Sequence, residues 1–524
     1  MIYFPVLALT LLLTSCSSSQ PAASKQTLHL NMSSDAAALD PRTVRLVKDL
    51  TLVRHLFEGL TRSDGDGNPQ LALAHSYNIS DDGLVYTFYL RDATWTNGER
   101  ISAEDFVYSW KRVLDPDFPT EYAHMLYVIK NGEKARAKRC ALDQVGVRAL
   151  DPRTLEVTLE KATPYFLELL SFPTFFPVNR NIDQNFPLWT SPPGKHFVSS
   201  GPFKLEKWLP TQEIDLQKNE TYWDASSVFL DKLVISMIQD NNTEGLLFTK
   251  GELDWLGQPL SNNICPELLG ELRAKQQLDS YPIDGTVWFK CNVSKPPFNN
   301  RNIRKAFAMA IPREEMIHHI LQGNQRAAFS PLPPTLSLMS GPSFTENREA
   351  AIQLFEAGLN EMGWVRDSFP HLELEYSQSE RNGKIAQFVQ QVWQDLFGIS
   401  VDLKKVEYQI YRQDSRSGHF QIAIAEWIAD YHDPLSFLEI FLPTSAINET
   451  RWDDPRFDEL VRLSNLSRQE ERRAFMAEAE QILTEEMPVI PLYHHAFDYV
   501  KKEGVEGVIL SPLGGGDFKT ARIR

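Results

Sequence analysis

Apolar positions along this chain fall into two periods. Leu84 to Leu90 alternates with polar residues as a half-buried strand does, and Thr27 to Met32 also reads as a strand. Val44, Leu46, Val47, Leu50, Val53, Leu56 and Phe57 recur instead at helical spacing, with Gly59 near the end of that helix. Ser102-Ala103-Glu104-Asp105 forms a capping box; Phe106, Val107, Trp110, Val113 and Leu114 then share one face, and Asp115-Pro116 stops the helix.

The second half repeats these signals in an order that predicts α/β structure. Asn299 or Asn300 can cap a helix whose face carries Ile303, Phe307 and Ile311, and Pro312 ends it while suiting the first turn of another. Leu372 to Tyr376 reads as a strand, followed by a helical stripe from Ile385 to Phe397 capped by Gly398. A strand at Val401 to Val406, a helix at Tyr408 to Arg416 and a strand at Phe420 to Ala425 continue the alternation expected of parallel βαβ units. Leu460 to Met487 is mostly helical, and Pro488 to Tyr493 reads as extended.

The strand ending at Ala425 feeds Glu426-Trp427-Ile428-Ala429-Asp430-Tyr431-His432-Asp433-Pro434, where the proline forbids further pairing. Such a strand end can aim a carboxylate into a cleft. In a chain of net charge −16, Asp430 reads equally as a turn former.

With 524 residues the chain exceeds one core and divides into two or three domains. The balance of 53 Lys and Arg against 69 Asp and Glu argues against a nucleic-acid partner, which needs a basic face. Ile2 to Leu13 is apolar apart from Thr10 and too short to span a membrane, so residues 1–15 read as a signal peptide. Leu13-Thr14-Ser15-Cys16 resembles a bacterial lipobox, which implies a lipidated Cys16 followed by a flexible tether over 16–27; the usual basic residues before the apolar run are missing. Cys140, Cys265 and Cys291 allow at most one internal bridge, and they read as inert thiols. Asp64 to Pro69 superficially resembles a calcium loop, but Pro69 and His75 stand where Gly and Glu are required, so a turn is expected and no metal. No His-Glu-x-x-His or Gly-x-Ser-x-Gly pattern occurs, and the pairs His318-His319 and His494-His495 lack ligand spacing; neither catalysis nor a cofactor is expected.

Asp81 to Asp92, Trp95 to Glu99 and Ser102 to Pro116 resemble, almost without a gap, the signature of the family 5 extracellular solute-binding proteins. Ser200-Gly201-Pro202-Phe203, Asn219 to Asp224 and Phe298 to Ile317 extend the resemblance over about residues 28–515, nearest to the oligopeptide-binding branch. It implies a two-lobed periplasmic-binding-protein-like α/β fold (type II, cluster C) with an additional α/β subdomain. The first lobe would comprise 28–60, 191–283 and 489–524 with 61–190 inserted, and the second 284–488, with crossings near Ser280–Val287 and Val489–His494. It further implies a monomeric lipoprotein of the periplasm or cell surface. Such a protein captures short peptides and delivers them to the permease of an ABC importer; dipeptides, glutathione-like peptides, nickel complexes, haem and oligosaccharides are the other family ligands, and a surface sensor or adhesin, or a peptidase, is a further alternative.

In that family the aspartate matching Asp430 pairs with the ligand's α-ammonium group. Ala429 and Tyr431 flank it, Trp427 supplies backbone contacts and wall, Tyr122 matches a tyrosine near the ligand backbone, Asp35 falls near a cleft glutamate, and Tyr408 replaces a pocket-lining tryptophan. Tyr408 and Trp427 read otherwise as core aromatics, and Asp35 as an ordinary loop acid. Three departures bear on ligand choice: a family arginine is Ile424 here, the family's disulfide positions are Gly285 and Ile428, and Arg416 offers a guanidinium one residue out of register.

Overall fold

A computed structural model describes residues 26–524, except 37–38, 193, 262–263, 343, 446 and 468. The expected signal peptide, Cys16 and nearly all of the tether lie outside the described residues.

Three sheets carry the architecture. Thr27–Asn31 pairs in parallel with Lys232–Ser236, and Glu213–Lys218 and Phe203–Leu209 extend that sheet antiparallel. A second four-stranded antiparallel sheet runs in the order Ala74–Ile79, Val85–Leu90, Thr154–Thr158, Val147–Asp151. The helix Ala103–Val113 packs on it, buries Phe106, Trp110 and Val113, and is fixed from its far side by a Trp110 indole bond to the Phe175 carbonyl at 2.7 Å. Its predicted cap is present: the Asp105 carboxylate accepts the Ser102 backbone N–H at 2.9 Å.

The third, seven-stranded sheet is mixed. Its centre is the antiparallel pair of thirteen-residue strands Asp279–Cys291 and Val489–Lys501, and Ile422–Ile428, Leu372–Ser377 and Val401–Val406 follow in order on one side. Those last three strands are mutually parallel, joined by the helices Glu380–Phe397 and Tyr408–Ser417. The longer helix buries the stripe Ile385, Val389, Trp393 and Phe397 and ends where Gly398 takes φ +68°, a conformation costly for any residue with a Cβ.

Two large apolar cores result, with two small clusters beside them around Leu256 and Tyr411. Along Asp279–Cys291 successive side chains point to opposite faces, so Val287, Phe289 and Cys291 enter one core while Trp288 enters the other.

At two places the first predicted helix differs from the structure. It begins at Val47, because Asp40 holds the preceding segment in a turn by accepting the Arg42 backbone N–H at 2.9 Å and the Thr43 N–H on its carbonyl at 3.0 Å. It ends at Leu56 with an extended Phe57, so Gly59 is no helix cap; a Cβ there would lie 2.5 Å from the Leu170 carbonyl oxygen, and close approach is what requires glycine.

Candidate ligand-binding cleft

The strand Ile422–Ile428 delivers its end into a cleft, and the segment beyond is fixed at several points. Ala429 N–H donates to the Asp284 carbonyl at 2.7 Å, Asp430 N–H to Ser436 Oγ at 3.0 Å, and the Trp427 indole to the Ser436 carbonyl at 2.9 Å. Pro434 starts the helical turn Leu435–Leu438, and Asp433 secures it by accepting the Leu435 N–H at 2.9 Å and an Arg472 guanidinium N–H at 2.7 Å. His432 Nδ1 lies 2.6 Å from the fully buried Asp284 carboxylate, which also accepts the Thr335 hydroxyl at 2.5 Å. Every backbone constraint on this loop thus leaves the Asp430 side chain free of structural duty.

That side chain lines a cavity of about 700 Å³. Among the described residues the Asp430 carboxylate makes no hydrogen bond or ion pair. Burial pushes its pKa up, and the charge of His124 across the cavity only partly opposes this. Tyr122 and His124 come from the short 3₁₀ helix Tyr122–Val128 on the facing wall. The Tyr122 phenol is pushed up to about 12, first by burial and then by the negative charge of Asp430. Tyr431 closes the side, its ring stacked on Tyr165 with centroids 4.4 Å apart and planes 4° from parallel.

Trp427 also lines a second cavity of about 230 Å³, at the carboxyl ends of the parallel strands, where open α/β sheets hold ligands. Tyr408 stands there with 57% of its surface exposed, and Ile424 lines it too. Three cations that the sequence reading did not single out face this space. Arg381, in the first turn of Glu380–Phe397, donates to Glu426 at 3.1 Å; Arg412 reaches Glu449 at 3.4 Å; Lys290 bonds Glu449 and Ser415 Oγ, each at 2.5 Å. Burial pushes the Glu426 carboxyl up, but the imidazole of His495 and the guanidinium of Arg381 more than reverse it, leaving it at about 2.

Tyr122, Trp427, Asp430 and Tyr431 therefore share one cavity, and Tyr408 stands in its neighbour across Trp427. Ala429 is buried behind them. Asp35 lies elsewhere: its two oxygens accept the Trp208 indole N–H at 3.1 Å and the Thr211 backbone N–H at 2.7 Å. Arg416 is exposed at the end of its helix and lines neither cavity; Arg412, one turn earlier, brings the guanidinium in. Gly285 and Ile428 stand directly opposite each other on paired strands, with the ring of His495 packed against Gly285, and Cys140, Cys265 and Cys291 are all unbridged. Burial pushes the Cys291 thiol up to about 12, far from a reactive thiolate.

A profile of the bacterial extracellular solute-binding proteins, family 5 (middle region), matches residues 68–449. The chain belongs to this family. It is 37% identical over 510 residues to the oligopeptide-binding protein OppA of Bacillus subtilis, covering 95% of this chain and 92% of that one. It is 34% identical to the dipeptide-binding protein DppE of the same organism (95% and 92%), and 30% identical to the probable deoxycholate-binding periplasmic protein YgiS of Escherichia coli (93% and 91%). Among solved structures, the unliganded open form of the murein tripeptide binding protein MppA superposes with a TM-score of 0.84 at 27% identity, covering 96% of this chain and 98% of that one. Listeria monocytogenes OppA bound to peptide gives 0.74 at 27% identity (96% and 99%). The family's two-lobed architecture is thus that of this chain, and the family and its solved neighbours are binding proteins.

Proposed function

We propose that this protein captures short peptides in extended form between its two lobes and hands them to an ABC importer. On this reading 61–190 is inserted in the first lobe, which comprises 28–60, 191–283 and 489–524, and the chain crosses to the second lobe, 284–488, and back near Ser280–Val287 and Val489–His494. The observation that carries the reading is the Asp430 carboxylate, half-buried and without a partner among the described residues, in a cavity also lined by Tyr122 and Trp427. A partly desolvated carboxylate without a counter-ion gains most from an ammonium group, and every unblocked peptide has one. Backbone groups of an extended ligand would supply the rest, with side chains left in the two cavities and Tyr408 and Trp427 as wall. A bile-acid ligand fits poorly, since its carboxylate would enter a space already lined by Asp430 and Glu439.

The higher superposition on an unliganded open form than on a peptide complex supports reading this structure as the receptive state, with ligand then favouring closure. Lipidation of Cys16 would anchor the monomeric protein to a membrane, in the periplasm or at the cell surface. Asp35 and Arg416 stand outside the direct contacts with ligand on this reading. Calorimetric titration with a free-amine tripeptide tests the reading: Asp430→Asn is expected to weaken binding at least about tenfold, or about 1.4 kcal/mol. Unchanged affinity would remove the amine anchor, and recovery of cleaved peptide would overturn the assignment as a carrier.

A further inference from the structure

The cavity around Asp430 holds a second carboxylate without a counter-ion. Glu439, at the start of the turn Glu439–Phe441, lines the same space. Its oxygens accept the Tyr431 hydroxyl and the Asn465 amide, both at 3.3 Å, and no Lys, Arg or His among the described residues lies within ion-pair distance. Glu121, the third acid of the cavity, is paired with Arg45. Two carboxylates, Asp430 and Glu439, are therefore left for the ligand. Around them the wall is mixed, and Met125, Val128, Leu169 and Leu442 give it an aliphatic part beside the aromatic rings.

We infer that this site selects peptides whose first residue is lysine or arginine, its α-ammonium group on Asp430 and its side-chain cation on Glu439. The inference rests on the amine-anchor reading above. A first side chain that is wholly apolar would cover Glu439 and strip its water without replacing it. An acidic one would add a third negative charge. A long basic side chain satisfies both features, laying its methylenes along the aliphatic wall while its charged end meets the carboxylate.

The test uses three tripeptides that differ only at the first residue: lysine, Nε-acetyl-lysine and norleucine, each followed by two alanines. Lysine is expected to bind at least about tenfold more tightly than its acetylated form, on the scale of close charge pairs at interfaces. Glu439→Gln keeps an oxygen for the Asn465 amide and an N–H for the Tyr431 hydroxyl oxygen but removes the charge, so it is expected to erase that difference by weakening the lysine peptide. Equal binding of lysine and acetyl-lysine to the unaltered protein, or a lysine preference that survives Glu439→Gln, would overturn the inference and leave the peptide reading standing. Failure of all three free-amine peptides to bind would overturn both.

Discussion

On one side of Trp427 three acids, Asp430, Glu439 and Glu121, face Arg45 and His124; on the other, Lys290, Arg381 and Arg412 face Glu426 and Glu449. The pairing differs as well as the count. In the second cavity both acids are engaged, Glu449 by Lys290 and Arg412, Glu426 by Arg381 and His495, and the surplus there is positive. In the first, two acids have no counter-ion among the described residues and the surplus is negative. Two cavities sharing a wall thus present opposite charge, and under the proposed function an extended ligand would run with its amine beside Asp430 and an acidic group beyond Trp427.

The largest effect is expected from reversing the first cavity. Asp430→Lys places an ammonium where the ligand's own must sit, and binding of free-amine peptides is expected to fall at least about a hundredfold, roughly 2.7 kcal/mol, in calorimetric titration. Lowering pH is expected to do the same by degrees. On the proposed reading the ionised form is the one that binds, and burial raises the Asp430 pKa, so affinity is expected to fall as pH drops through that raised value, starting at a higher pH than for an exposed aspartate. Asp430→Asn is expected to flatten this part of the profile in titrations from pH 7 to pH 4.

Weakening the second cavity is expected to do less. Arg381 and Arg412 are partly exposed, with 41% and 33% of their side chains accessible, so the double replacement Arg381→Gln, Arg412→Gln is expected to cost peptides with an internal acidic residue about three- to tenfold in affinity, and neutral peptides less. The smallest effect concerns the empty protein. A raised folded-state pKa means that ionising Asp430 opposes folding. The stability tied to its protonated form is complete below the unfolded value and is lost as pH rises through the folded one. Unliganded Asp430→Asn is therefore expected to melt above the unaltered protein at pH 7, a difference that closes toward pH 3 in calorimetric scans.

Much of the fold was legible because its signals are local. The helix Ala103–Val113 carries its own cap and stop, and Glu380–Phe397 its own stripe and terminal glycine, so neither needs distant residues to be read. The start of Val47–Leu56 was not, since the turn before it depends on where the Asp40 carboxylate points. The site divides along the same line. Trp427, Asp430 and Tyr431 lie within one phrase, whereas Tyr165 and Glu439 reach it through packing that has no local period. Arg381 did leave a signal, a cation in the first helical turn after a parallel strand, a place where α/β sheets hold ligands. Asp35 shows the converse: the family resemblance pointed it to the cleft, while Trp208 and Thr211 claim its oxygens from a different strand and turn.

A double-mutant cycle between residue 430 and the ligand's amino group tests the central claim most directly. The unaltered protein and Asp430→Asn are each titrated with a tripeptide and with its Nα-acetylated form, so that the coupling between carboxylate and amine is isolated from other effects of either change. A coupling of at least about 1.4 kcal/mol, with acetylation nearly silent in Asp430→Asn, is the predicted result. Additive losses, with acetylation equally damaging in both proteins, would contradict it and place the ligand's amine elsewhere in the cleft.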